Sequence, residues 1–220
     1  MPRSTHYGNN YWSFKSKKTG ILVECFSNLE FFNALTLEMD PTVEHYCTQP
    51  YTADVHTEDG IEHVTFDVYI KYMDGRELFS ECKYTAELDE ENVSSAALRS
   101  RNQIRLEEKW CKDNHFDFAV ITEKEVFKGK KFLENILFLY GHYDSEAVNI
   151  SEMNAVYDKI VEKFSKQESM QISEMVEEGI LDEKRVYQQL SWLYARGYIS
   201  MRILSRPIDY KTEVVRYGKL

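Results

Sequence analysis

Four side chains in this sequence could share one piece of chemistry: Glu30, Asp67, Glu81 and Lys83. Glu81 and Lys83 stand two residues apart in a strand-like segment, so both leave the same face. Asp67 lies on the preceding strand-like segment. A hairpin brings it opposite or diagonal to Glu81, with Cβ atoms ~4.5–8 Å apart. Two carboxylates that close repel each other unless one is protonated or both meet a cation. Mg²⁺, with Mn²⁺ as its substitute, favours such oxygen ligands and keeps several waters. Those waters are nucleophiles for phosphodiester hydrolysis, and a lysine nearby orients or deprotonates one and counters developing charge. Glu30, on an upstream helix, would complete a Glu30–Asp67–Glu81 metal shell. A plainer explanation stands beside this one. Exposed strand faces often carry Asp, Glu and Lys as ion pairs, and Ser27 with Glu30 three residues later forms a helix capping box.

The elements that must position these residues follow from periodicity and punctuation. Residues 1–20 read as a polar, aromatic arm with one short strand. A helix opens at Ser27-Asn28-Leu29-Glu30, runs to about Met39 and stops at Asp40-Pro41. A strand over Tyr51–His56 turns through Thr57-Glu58-Asp59-Gly60 into one long strand, Ile61–Tyr72. In it Val64, Phe66, Val68 and Ile70 share one face, and His63, Thr65, Asp67 and Tyr69 the other. Met73-Asp74-Gly75-Arg76 turns the chain into a third strand, Glu77–Tyr84. A loop to Ser94, a helix over 95–114 with Leu98, Ile104, Leu106 and Trp110 inward, and a buried strand over Phe116–Thr122 complete this region. Beyond a connecting segment at 131–144, three helical stretches (Ser145–Phe164, Gln171–Glu178, Asp182–Ala195) precede an apolar strand and a hairpin. Gly179 and Gly197 are placed to end the last two helices. The expected architecture is α/β: a mixed sheet flanked by helices over 1–130, and a winged-helix-like α+β domain over 145–220.

Composition narrows the function classes. The chain has 220 residues, 43% of them hydrophobic, enough for one solid core and a smaller satellite. It lacks an 18-residue apolar run, and its start lacks the apolar stretch of a secretory signal, so a cytoplasmic protein without a membrane partner is expected. The widely spaced Cys25, Cys47, Cys82 and Cys111 form no zinc pattern and are expected as reduced thiols. No phosphate-binding glycine loop, dinucleotide fingerprint or nucleophile elbow is present. The net charge of -10 argues against strong autonomous DNA binding, because nonspecific affinity comes from Lys and Arg on phosphates. It leaves room for an enzyme delivered to DNA by a partner.

The acidic and basic residues are embedded in a more specific pattern. Ser27-Asn28-Leu29-Glu30, Leu37-Glu38-Met39-Asp40-Pro41-Thr42-Val43, Gln49-Pro50-Tyr51-Thr52, Thr65-Phe66-Asp67-Val68, Asp74-Gly75-Arg76, Glu81-Cys82-Lys83 and Phe118-Ala119-Val120-Ile121-Thr122-Glu123 together resemble the TnsA-type endonucleases of heteromeric transposases, over roughly residues 24–127. The resemblance implies a restriction-endonuclease-like fold. It places that family's helix glutamate on Glu30, its central aspartate on Asp67, the second acidic position on Glu81 and the catalytic lysine on Lys83. Phe66 replaces the usual proline before the aspartate, and some members carry Gln where this chain has Glu81. Such enzymes cut the 5′ ends of a transposon in double-stranded DNA. They act with a DDE transposase subunit and are regulated by an AAA+ ATPase that contacts their C-terminal region. The alternatives are a phage or mobile-element nuclease outside transposition, and a catalytically silent adaptor on a nuclease scaffold.

Basic residues give secondary candidates for DNA contact. Arg99, Arg101 and Arg105 line the long helix, with Lys109 and Lys112 beyond; Glu107 and Glu108 dilute the stripe. Lys128, Lys130 and Lys131 form a basic junction, and Lys184 and Arg185 open the expected recognition helix with Gln188 and Gln189. Glu174, Glu177, Glu178 and Glu183 crowd that helix with negative charge, which favours protein docking there. Gln103 is placed to face the sheet edge, and His63 reads as a solvated strand residue.

Overall fold

The computed structural model describes residues 10–58, 60–143 and 149–217. The first nine residues of the expected arm, Asp59 of the expected turn, the expected helix start at Ser145 and the last three residues lie outside them. The chain forms two compact units. One comprises residues up to Leu37 with Thr42–Val126; the other comprises Glu38–Pro41 and the chain from Phe127 onward.

In the first unit, β1 (Trp12–Lys15) and β2 (Leu22–Cys25) pair antiparallel and lead into α1 (Asn28–Met39). Both capping signals at the start of α1 are used. The Ser27 hydroxyl accepts the Glu30 N–H at 3.1 Å, and the Glu30 carboxylate accepts the Phe26 N–H at 2.9 Å. Then come β3 (Val43–Thr48), β4 (Thr52–Thr57), β5 (Gly60–Thr65), β6 (Val68–Tyr72), β7 (Glu77–Cys82), α2 (Thr85–Leu88), α3 (Ser95–Asp113), β8 (Asp117–Ile121) and α4 (Glu123–Val126). The central sheet runs β3-β6-β7-β8, antiparallel except for the parallel β7–β8 pair. One side packs on Ala34 and Leu37 of α1, together with Val43, Tyr46, Val68 and Ile70. The other side packs on Leu106 and Cys111 of α3, together with Phe66 and Phe79. This is an α/β fold with a mixed sheet flanked by helices, consistent with a restriction-endonuclease-like architecture.

The expected single strand Ile61–Tyr72 is broken at Phe66-Asp67. β5 pairs with β4 as far as Thr52–Thr65, and β6 pairs with β3 from Thr48–Val68, so three residues (49–51) on one side oppose two (66–67) on the other. That is a bulge-like mismatch, and it re-aims side chains. Its cause is local. Gln49 adopts a left-handed φ of 52°, and Pro50 has no N–H for the ladder. As a result Val64 and Phe66 face the α3 core while Val68 and Ile70 face the α1 core, against the expected common face. β3 was not anticipated either: its ladder shifts register between Val43 and His45, which spoils the alternation. Part of the expected loop after Lys83 is the short helix α2. Leu98, expected inward, is exposed, because α3 buries small and polar positions instead: Ala97, Ser100, Glu107 and Cys111 beside Leu106.

The second unit contains α5 (Phe132–His142), α6 (Ile150–Phe164), β9 (Ser169–Gln171), α7 (Ile172–Glu177), α8 (Val186–Ala195), β10 (Ile199–Met201) and β11 (Glu213–Arg216). Its three strands form an antiparallel sheet in the order β10-β11-β9. After α5, the helices α6, α7 and α8 with the β10–β11 hairpin make a small α+β module of winged-helix-like order. Gly179 and Gly197 take positive φ of 65° and 69° just after α7 and α8, as the helix-end reading requires. The last helix begins at Val186, later than the expected Asp182, because the Asp182 N–H and side chain close a turn with Gln189 and Lys184. The buried Asn135 holds the connection before β11: it donates to the carbonyls of Ile203 and Arg206 and accepts from the Ile208 N–H.

Phe66 is fully buried, with ring centroids 4.6 Å from Phe79 and 5.3 Å from Trp110. Phe66→Ala should therefore destabilise the first unit by about 3–5 kcal/mol in urea unfolding. A loss below ~1 kcal/mol would show that this aromatic cluster does not hold the break in place.

Candidate active site

The β6–β7 register builds the site. Val68 pairs with Ser80 and Tyr69 with Phe79, so one step further Asp67 stands opposite Glu81, at the open end of the pair. Residues opposite each other on antiparallel strands share a face. The bulge-like break gives Asp67 its freedom there, and the Gln49 N–H fixes its backbone by donating to the Asp67 carbonyl at 2.8 Å. The Cys82 N–H donates to Asp67 Oδ2 at 2.9 Å. Lys83 continues from β7 beside β8, its N–H donating to the Ile121 carbonyl at 3.0 Å. Its ammonium turns back to Glu81 Oε1 at 2.6 Å.

Asp67 and Glu81 are 4% and 1% exposed. Burial is the main reason that the Asp67 carboxyl is raised well above its ordinary value; the charges of Glu81 and Glu30 add to it, and the Cys82 N–H and Lys83 oppose it. Burial also pushes Glu81 up to about 7, followed by the charge of Glu107, against the pull of Lys83 and a hydrogen bond with Asp67. Lys83 loses solvation, which lowers its pKa, yet the charge and hydrogen bond of Glu81 outweigh this and it stays protonated above its ordinary value. The site thus holds more acidic groups than its one lysine can keep ionised.

α3 supplies two further residues. Gln103 Nε2 donates to Glu81 Oε1 and to Glu107 Oε1, at 2.8 Å each. Glu107 is wholly buried. In the sequence Glu107 figures only as a residue that dilutes the basic stripe; the buried spacing 97, 100, 107, 111 places it inward. That spacing was present in the sequence, but it is carried by small and polar residues, which a search for apolar periodicity passes over.

Glu30 is half-buried and is engaged at the helix start through Phe26. Its charge still reaches Asp67 and Cys82. Among the described residues, no group of three or more His, Cys, Asp or Glu side chains is arranged to hold a metal ion. The expected shell of Glu30, Asp67 and Glu81 is therefore not gathered as such a cluster, and the engagement of Glu30 at its own helix start is the physical reason. The donor chemistry nevertheless suits a hard divalent cation. Asp67 and Glu81 offer only oxygen, their charges oppose each other, and buried Glu81 Oε2 has no N–H or hydroxyl donor.

The other candidates are scattered. Arg101 is spent on the Asp89 and Asn92 carbonyls. Arg105 reaches Asn102 at 2.9 Å and remains exposed, and Arg99 lines an open cleft of about 330 Å³ with Glu62, His63, Asn102 and Gln103. In the second unit Lys128 lies over the Phe132 ring and Lys131 is paired with Glu134, while Lys130 is exposed. Lys184 is exposed, Arg185 is paired with Glu152, and Gln189 is buried rather than outward. His63 is exposed and bonded to Asp54 at 2.7 Å, away from Asp67 across the strand break. All four cysteines are free thiols. No helix among the described residues is long and apolar enough to cross a membrane.

Comparison with known families adds to this geometry. The family model of the TnsA-like endonuclease N-terminal domain matches residues 40–123. Over this part of the chain the sequence is similar to a TnsA-like endonuclease N-terminal domain. The TnsA-like segment contains Asp67, Glu81, Lys83, Gln103 and Glu107; Glu30 precedes it. No curated protein matches the chain.

Both site carboxyls bind protons more tightly folded than unfolded, so their contribution to stability falls as pH rises. For Glu81 the fall begins near its ordinary 4.5 and ends above about 7. Urea unfolding without divalent cations should show stability declining between pH 5 and pH 8, and Glu81→Gln should flatten that decline. An equally steep decline in Glu81→Gln would show that Glu81 is not the strained group.

Proposed function

We propose that this protein is a Mg²⁺-dependent DNA endonuclease that hydrolyses phosphodiester bonds at transposon ends, acting as the 5′-cutting subunit of a heteromeric transposase. The observation that carries the reading is the convergence of Asp67, Glu81 and Lys83 at one strand end inside the TnsA-like segment. Asp67 and Glu81 would hold the cation, with Glu30 joining if it leaves its helix-start partner. Bound there, Mg²⁺ supplies Lewis-acid stabilisation of the phosphate and an acidified water. Lys83 does the rest of the electrostatic work. Held by Glu81, it keeps a positive charge at the strand end, where it can orient a water and offset charge building on the phosphate.

The partners follow from the same reading. The acidic chain and the ion-paired state of Arg185 and Lys131 support delivery to double-stranded DNA by other proteins. A DDE transposase subunit would cut the other strand, and an AAA+ ATPase regulator would dock on the winged-helix-like module.

Lys83→Ala should lower cleavage of transposon-end DNA by roughly 10²–10³-fold in the assembled system with Mg²⁺. Its circular dichroism should remain that of the parent below pH 7, where Glu81 can take up a proton in place of the lost lysine charge. Cleavage by Lys83→Ala at the parental rate would refute the assigned chemistry. A parent that neither binds Mg²⁺ or Mn²⁺ in titration calorimetry nor cuts DNA with its partners would point to the silent-adaptor alternative.

A further inference from the structure

Gln103 has no role in the chemistry assigned above, yet it touches the central carboxylate. Its single amide nitrogen bridges two acids, Glu81 and Glu107, at 2.8 Å each. Both acids are buried, at 1% and 0% exposure, and both bonds end on an Oε1 atom. Glu81 Oε1 also accepts from Lys83, so two donors grip the same oxygen. Glu81 Oε2 receives neither donor. Two donors on one oxygen fix the plane and rotamer of a carboxylate and leave its other oxygen to Asp67, with which Glu81 is hydrogen-bonded, or to a cation in place of the proton between them.

We propose that Gln103, oriented by buried Glu107, is a positioning residue that locks the Glu81 carboxylate so that Oε2 is presented for cation binding. This rests on the nuclease reading and deepens it. The amide suits the task for a chemical reason. A glutamine offers two N–H donors and an acceptor without adding charge. Lysine in its place would neutralise Glu81 and weaken its hold on a cation. A glutamate would add a third negative charge to an already strained site. Glu107 lies one helical turn from Gln103, the spacing at which α3 side chains meet. Its acceptor oxygen selects which way the amide faces. Outer partners of this type hold metal ligands in place, and their loss typically costs ~10–100-fold in metal affinity or activity.

The test uses the full chain and Mn²⁺ as the probe, followed by titration calorimetry and by the Mn²⁺ electron paramagnetic resonance signal. Gln103→Leu keeps the bulk of the side chain and removes the donor. It should weaken Mn²⁺ binding by about 10-fold or more while the thermal melting curve without metal stays close to the parent's. Glu107→Gln retains an oxygen that can accept from Gln103, so it should bind Mn²⁺ within a few-fold of the parent; Glu107→Leu, which cannot, should fall with Gln103→Leu. A merely structural role would lower the melting temperature and would not separate Glu107→Gln from Glu107→Leu in Mn²⁺ affinity. If the parent binds Mn²⁺ and Gln103→Leu binds it equally well, the positioning role is refuted and the nuclease reading stands. If the parent binds none, the positioning role is refuted; if it also fails to cut DNA with its partners, the nuclease reading fails with it.

Discussion

Two carboxylates facing each other across the end of an antiparallel strand pair are the constraint on which the rest of this domain depends. Asp67 and Glu81 are almost fully buried, and burial makes each reluctant to ionise. The fold answers with few groups: the Cys82 N–H on Asp67, and Lys83 and Gln103 on Glu81. A hydrophobic pair at these positions would cost far less, since desolvating charge is rarely repaid in full. The backbone around the two carboxylates is fixed as well. Gln49 takes a left-handed conformation before a proline, and its N–H holds the carbonyl of Asp67. Strain of this kind persists only where surrounding structure enforces it. Here the aromatic cluster of Phe66, Phe79 and Trp110 packs directly behind the break.

Much of this was legible in the residues themselves. The two-residue spacing of Glu81 and Lys83 and the hairpin between Asp67 and Glu81 brought these groups together as strand geometry requires. The capping pattern at Ser27 and Glu30 and the helix-ending glycines 179 and 197 describe local backbone chemistry, and local chemistry is what a single sequence carries best. The break at Asp67 was not legible, because the alternation from His63 to Ile70 runs through it without a change in side-chain type. The cause sits in the partner strand, at Gln49-Pro50, and only pairing couples the two segments. The role of Glu107 was missed for a different reason. A charged residue on a charged helix gives no sign of burial, and the Gln103 amide that binds it joins it to Glu81 on another element only in the folded chain.

Glu30 shows how one residue can satisfy two explanations at once. A capping glutamate and a metal-binding glutamate occupy the same place in the sequence, and the structure displays the first use while the charge of Glu30 still acts on Asp67. The two are not exclusive in physical terms. Losing a helix-start hydrogen bond costs about 1 kcal/mol. Bringing a divalent cation to a site where two buried carboxyls are raised by burial and mutual repulsion returns more than that. On the proposed nuclease reading, the helix start would be a parking place for Glu30, keeping its carboxylate out of an already crowded site until positive charge arrives.

On the proposed nuclease reading, an acidic chain would have to be brought to DNA. Nonspecific attraction to phosphate scales with the cations that a surface can present. In this chain several of the candidate cations are committed elsewhere, Arg101 to loop carbonyls, Arg185 and Lys131 to acidic neighbours. A chain with free basic stripes would bind and cut DNA wherever it landed. On the proposed reading, one whose own field opposes DNA would approach it only in company, and a cation that relaxes Asp67 and Glu81 would make the site still more dependent on context. Weak intrinsic affinity and a strained carboxylate pair would then act in the same direction: both would hold the chemistry in reserve until partner, metal and DNA are present together.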